Sequence, residues 1–188
     1  TMGNMVESDS YHMLLKKMMD DSMSEARKVI QDTFNSYAKL TGRNYGGLVE
    51  CINCSDADYF VVSMGAWSGD ALKAVNDLRM EGYRVGLLRI RFIRPFPEEE
   101  IAAAVSRAKG VIVFDRDYSP GFGGVLAGEI MGLVPPTVSF KGVLAGLAGV
   151  DVSPSDFKEA IKGFINETEK SGPMRIRKEW LMPRMGGE

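Results

Sequence analysis

From Tyr11 to Leu40 the apolar residues Leu15, Met18, Met19, Ala26, Val29, Ile30, Phe34, Tyr37 and Leu40 recur at three- and four-residue steps, the spacing of one helix face. The pattern predicts an amphipathic helix, or two helices broken near Asp20 to Ser24. A continuous helix would be ~45 Å long at 1.5 Å per residue, more than a compact domain of this size requires. It must therefore lie across its own sheet or against another domain. Gly42, Gly46 and Gly47 end it, and the polar residues 1 to 10 read as a frayed end.

Beyond that point the period changes from helical to alternating α and β. Apolar runs predict strands at Leu48 to Ile52 (an edge), Tyr59 to Met64, Val85 to Phe92, Val111 to Asp115 and Thr137 to Phe140. Helical spacing predicts helices at Gly69 to Glu81, Glu98 to Ala108, Gly123 to Leu133 and Ser155 to Glu169. Pro97 followed by Glu98, Glu99 and Glu100 suits a helix N-terminus, where proline is tolerated and acids meet the positive end of the dipole. Ser153-Pro154-Ser155-Asp156 offers a cap in the same way. Strands alternating with helices imply a parallel α/β sheet. The tail from Ser171 is basic and contains Trp180, so it reads as an arm that docks on a neighbour.

Composition narrows the class without naming a chemistry. The chain has 188 residues, 26% of them charged, with 23 Lys and Arg against 25 Asp and Glu. That balance gives nucleic acid no general surface to bind. No apolar run approaches the ~20 residues of a membrane span, and the start lacks the regions of a signal peptide, so a cytoplasmic location is expected. Two cysteines make no disulfide framework.

The candidate chemistry is sparse. His12 is the sole imidazole, in the polar start of the first helix, with nothing nearby to pre-position a nucleophile. Cys51 and Cys54 have the spacing of a redox pair or of half a zinc or iron–sulfur site; with no second such pair, a metal or redox role would need a dimer to supply the rest. Gly121, Gly123 and Gly124 lie in a strand-to-helix turn where backbone N–H groups could meet a phosphate. The turn is neither a G-x-G-x-x-G nor a P-loop, and tight β-to-α geometry explains its glycines equally well. Gly65 opens a similar turn, and Asp70 there reads as a helix-start residue. Arg89, Arg91 and Arg94 alternate with Leu88, Ile90 and Ile93, which puts the arginines on one side of a strand, to pair with Asp115 or Asp117 or to meet a partner subunit. Twelve methionines, several in the first helix, suit adaptable packing.

Several pieces in order carry a resemblance. Thr41-Gly42-Arg43-Asn44-Tyr45 closes a helix, Ser63-Met64-Gly65 closes a strand, and EGYRVGLLRIRFIRPFP runs from Glu81. Phe114-Asp115-Arg116-Asp117 then leads into the Gly121 to Gly124 turn, and Gly142 to Val150 precedes Asp151-Val152-Ser153-Pro154. Over about residues 11 to 170 the chain resembles domain II of the alpha subunit of pyruvate:ferredoxin oxidoreductase (pyruvate synthase), a domain folded like the C-terminal part of transketolase. The resemblance implies a three-layer α/β/α sandwich on a mixed five-stranded sheet whose first strand is antiparallel. It implies a helical segment over 1–45 linking from a thiamine-binding domain, the α/β domain over 46–170 and a tail over 171–188.

It also implies membership in an assembly that oxidises pyruvate with CoA to acetyl-CoA and carbon dioxide, reducing ferredoxin. That assembly uses thiamine diphosphate, magnesium and iron–sulfur clusters. Its partners would be the other domains and subunits of the complex, with ferredoxin and CoA at the level of the whole. Ser68-Gly69-Asp70-Ala71 departs from the G-D-G that holds magnesium and diphosphate, and no ferredoxin-like cysteine run occurs. No catalytic residue, cofactor or metal is therefore assigned to this stretch, beyond the weak loop candidates Gly65, Gly121, Gly123 and Gly124 and the weak metal candidates Cys51 and Cys54. A related 2-oxoacid oxidoreductase subunit, a self-standing interaction or regulatory module, and a small nucleotide- or phosphate-binding protein using the Gly121 to Gly124 loop are the alternatives.

Overall fold

A computed structural model describes residues 11–182, in two compact units: residues up to 48 with 92–97, and the remainder. In the first unit, helix α1 runs unbroken over Tyr11–Thr41, 31 residues. The hydroxyls of Ser22 and Ser24 donate back to the carbonyls of Met18 and Asp20, one turn earlier, so these polar residues sit within the helix without ending it. Residues 92–97 pack within this unit: Arg27 donates to the Phe96 carbonyl at 2.8 Å, and Phe92 meets Phe34 edge-on. Helix α1 buries none of its residues.

The second unit is the α/β domain. Its strands are β1 (Val49–Ile52), β2 (Tyr59–Met64), β3 (Val85–Ile90), β4 (Gly110–Asp115), β5 (Ser139–Leu144) and β6 (Arg175–Trp180), in the order β1-β3-β2-β4-β5-β6. Only the β1–β3 pairing is antiparallel. Helices α2 (Trp67–Met80) and α5 (Pro154–Ser171) cover one face, meeting Val61, Leu87, Ile112, Phe114 and Val143 with Ala74, Leu78, Phe157, Ile161 and Phe164. Helices α3 (Glu98–Val105) and α4 (Val125–Met131) bring Ile101, Val105, Leu126, Ala127 and Ile130 to the core. Central strands covered on both faces read as near-continuous apolar runs, and β2, β3 and β4 are apolar up to a polar residue near each carboxyl end, Ser63, Arg89 and Asp115.

The expected α/β/α sandwich with an antiparallel first strand is what forms, with corrections at the margins. The sheet has six strands, not five: residues 175–180 pair in parallel with β5 instead of trailing as an arm. An edge strand with mostly exposed residues carries charge without penalty, so RIRKEW lacks an apolar alternation. Strand β5 extends to Leu144, past the Thr137 to Phe140 expected. In the added stretch Lys141 lies buried between Glu167 at 2.6 Å and Glu179 at 2.8 Å. Burial works to lower the Lys141 pKa, but those two carboxylates raise it, so the lysine stays charged inside the sheet.

The strand arginines are also corrected. Strand β3 ends at Ile90, and Arg94 falls outside it. Arg89 and Arg91 both reach Glu50 on β1, not Asp115 or Asp117. The capping reading of Ser153 is borne out: its backbone N–H donates to Asp156 and its hydroxyl accepts from the Asp156 N–H, with Pro154 at the first helical position.

Candidate functional site

In an open α/β sheet, ligands and partners meet the carboxyl ends of strands where the strand order reverses. Here the chain goes outward one way from β2 to β3 and the other way from β4 to β5, so the reversal lies between β2 and β4. Three connections surround it. Gly65 and Ala66 lead from β2 into α2, residues 116–124 lead from β4 into α4, and Ala145 and Gly146 follow β5.

The turn before α4 is built around two of its own carboxylates. Asp115, the buried last residue of β4, accepts from the N–H groups of Leu126 at 3.0 Å and Ala127 at 2.8 Å. Asp117 accepts from the Val125 N–H at 3.3 Å. Gly124 is required by this arrangement, because a Cβ there would lie 2.0 Å from an Asp115 oxygen. Burial raises the Asp115 pKa to about 7; the neighbouring Asp117 carboxylate adds to the rise, and the two backbone donors oppose it. Gly121 and Gly123, in the same turn, have positive φ values of 79° and 128°. A phosphate brought here would meet carboxylates on the helix amides. The described residues therefore do not fit a diphosphate group at this turn.

The turn after β2 presents aromatic surface. Asp70 sits in the first turn of α2, and the buried hydroxyls of Ser63 and Ser68 bond each other at 3.0 Å. Trp67 packs edge-on against Phe157, and the Arg116 guanidinium lies over its ring at 5.4 Å. Arg116 also donates through Nε to the Gly146 carbonyl at 3.1 Å. Gly146 has φ 63° and lies so close to Trp67 that a Cβ would be 2.2 Å from the indole, so glycine is needed twice over. Beside it opens a cavity of about 430 Å³ whose walls include Leu144, Leu147, Val150, Trp180 and Met182. Among the described residues its walls carry no acid, base or nucleophile. Such a surface can hold an apolar group by burial.

Two other sequence candidates are His12 and the cysteine pair. His12 is exposed on α1. Cys51 and Cys54 are joined in a disulfide at the end of β1, and disulfide sulfurs are not thiolate ligands. No group of three or more His, Cys, Asp or Glu placed to hold a metal ion occurs among the described residues. No helix among them is long and apolar enough to cross a membrane. The apolar cavity was missed from sequence because Trp180 and Met182 belong to a strand and its continuation that read as a tail; the Gly-Leu-Ala-Gly run at 146–149 was the available signal.

Residues 57–157 match the family described as pyruvate:ferredoxin oxidoreductase core domain II. The chain is 36% identical over 172 residues to pyruvate synthase subunit PorA of Methanocaldococcus jannaschii, covering 91% of this chain and 43% of that protein. It is 35% identical over 159 residues to ketoisovalerate oxidoreductase subunit VorA of Pyrococcus abyssi, covering 83% of this chain and 40% of that one. The chain thus spans less than half the length of these relatives. Among solved structures, the 2-oxoglutarate:ferredoxin oxidoreductase from Magnetococcus marinus superimposes with a TM-score of 0.52 at 20% identity, over 69% of this chain and 21% of that one. That likeness establishes a shared fold.

Proposed function

We propose, from the premise that this chain belongs to the pyruvate:ferredoxin oxidoreductase core domain II family, that it is a packing domain in the alpha subunit of a thiamine diphosphate-dependent 2-oxoacid:ferredoxin oxidoreductase. The reaction of the whole assembly is oxidative decarboxylation of a 2-oxoacid with CoA, yielding an acyl-CoA, carbon dioxide and reduced ferredoxin. Pyruvate is the first substrate to test, and the comparable identity to subunits named for pyruvate and for ketoisovalerate keeps the branched 2-oxoacids in the same trial. Thiamine diphosphate supplies the carbanion chemistry when bound. On this reading it is held elsewhere in the assembly, which works in the cytoplasm. The domain's part is to seat its neighbours through α1 and through the apolar cavity beside Trp180.

The observation that carries the reading is the family match across 57–157, which takes in β2, α2, β3, α3, β4, α4, β5 and the cap of α5. Two features support the packing role. Helix α1 leaves Met13, Leu14, Met18, Met19 and Met23 about half or more exposed, an apolar stripe that water disfavours. The cavity walls are equally suited to an apolar group from a partner. The test is the mass of the native assembly formed by the full chain, with Met18→Asp and Met19→Asp together as the perturbation. Loss of co-purifying subunits is expected, with circular dichroism of the chain unchanged. An assembly of unaltered mass would refute the packing role of α1.

A further inference from the structure

We propose that Cys51 and Cys54 form a thiol–disulfide exchange site, reacting through Cys51 with low-molecular-weight thiols or protein dithiols. Four observations support it. The two sulfurs are bonded at the end of edge strand β1, and Cys51 is exposed while Cys54 is partly covered. Exposure is what distinguishes exchangeable disulfides from inert ones.

The bond also ties no two elements together. Cys51 and Ile52 are already held by pairing with Leu88 and Leu87 of β3. The loop that follows is fixed independently, by Arg79 donating to the Val85 carbonyl at 3.0 Å and to both oxygens of Asp56. A ring closed over so few residues restricts the unfolded chain less than a long one does, so the fold has little need of it.

Cys54 is seated to accept either redox state. Gly86, the second residue of β3, makes the room: a Cβ there would lie 2.9 Å from the Asn53 carbonyl and 3.2 Å from the Cys54 Cα. The Cys54 sulfur faces the carbonyl oxygens of Ile52 at 3.7 Å and Leu87 at 3.6 Å. A disulfide sulfur has no proton to give them, whereas a thiol does, so these acceptors are in place for the reduced form. The retained loop also keeps the two thiols adjacent, which makes re-closure an intramolecular step.

Reduction proceeds in two balanced displacements. An external thiolate attacks the Cys51 sulfur, a mixed disulfide forms, and the Cys51–Cys54 bond breaks with its electron pair leaving on Cys54, which takes a proton from solvent. A second external thiolate then attacks the external sulfur of the mixed disulfide and releases Cys51 as a thiolate. Two external thiols are oxidised to a disulfide as the pair is reduced to a dithiol. Oxidation by an external disulfide is the reverse.

The test is to equilibrate the full chain anaerobically across glutathione buffers from fully reduced to fully oxidised, quench with acid, alkylate with a maleimide and weigh the intact protein. Two alkylations at the reducing end and none at the oxidising end are expected, with circular dichroism unchanged throughout. Thiols that stay alkylatable at every ratio, or a disulfide that opens only when the chain unfolds, would overturn the proposal. The single variants assign the reacting sulfur. Cys54→Ser should accumulate a glutathione adduct on Cys51 roughly tenfold faster than Cys51→Ser accumulates one on Cys54. Equal rates would overturn the assignment to Cys51.

Discussion

Helix α5 buries Phe157, Ile161, Phe164 and Ile165 against the sheet over 18 residues, whereas helix α1 runs for 31 residues and buries none. Both are amphipathic, and both are long enough to anchor a domain. Their apolar faces nevertheless answer to different partners. The α5 face is aromatic and aliphatic, with side chains fixed in a close-packed core. The α1 face pairs Leu14 with Met18 and Met19 with Met23 at four-residue steps, using flexible thioethers that mould to a surface. One helix closes the core of the α/β unit; the other leaves Met13, Leu14, Met18, Met19 and Met23 exposed.

The sharpest way to break that contrast is to truncate each helix in turn. Phe157→Ala should cost about 3 to 5 kcal/mol in denaturant unfolding, through lost burial and the cavity left behind. Leu14→Ala should change the same measurement by no more than about 0.5 kcal/mol. Comparable losses from both would make α1 a core element and remove the distinction.

Next in size is the ion pair that ties α5 to β5 and β6. Glu167→Gln with Glu179→Gln leaves the Lys141 ammonium buried without a countercharge, at a cost of about 3 kcal/mol in the same assay. Each carboxylate is half exposed, so either single change should cost less.

At the turn before α4 the expected effect is a dependence on pH. Because Asp115 titrates near 7 in the folded chain, above its ordinary value, the folded state binds an extra proton between about pH 4 and pH 7. The stability this group contributes is present at low pH and falls as pH rises through that window, at most ~1.4 kcal/mol per pH unit. Chemical denaturation of Asp115→Asn should give a flatter pH profile there than the parent chain does. The smallest effect belongs to the α5 cap: Ser153→Ala should cost about 1 kcal/mol, measured by the shift in denaturation midpoint.

What the sequence made legible follows the same division. Strand β2 is found over the expected Tyr59 to Met64, because a strand covered on both faces is a near-continuous apolar run, interrupted here by Ser63. The α5 cap was readable because Ser153, Pro154 and Asp156 act on backbone within one turn of themselves. What failed depended on residues distant in the chain. Lys141 is compatible with a strand only because Glu167 and Glu179 come to it from other elements, and β6 is a strand only because β5 lies beside it. The Arg89 and Arg91 partner was misjudged for the same reason, since Glu50 reaches them across an antiparallel pairing. At the site, the turns were located correctly, but the aspartates that fill the α4 amides were visible only once β4 and α4 were in contact.

The measurement that tests the central claim most directly is anaerobic reduction of a viologen dye by the assembly that co-purifies with the full-length chain. Reduction that depends on both a 2-oxoacid and CoA, with thiamine- and cluster-bearing subunits in the purified material, is the expected result. A chain that purifies without such subunits, and gives no reduction with any 2-oxoacid, would contradict the assignment and leave a free-standing docking module in its place.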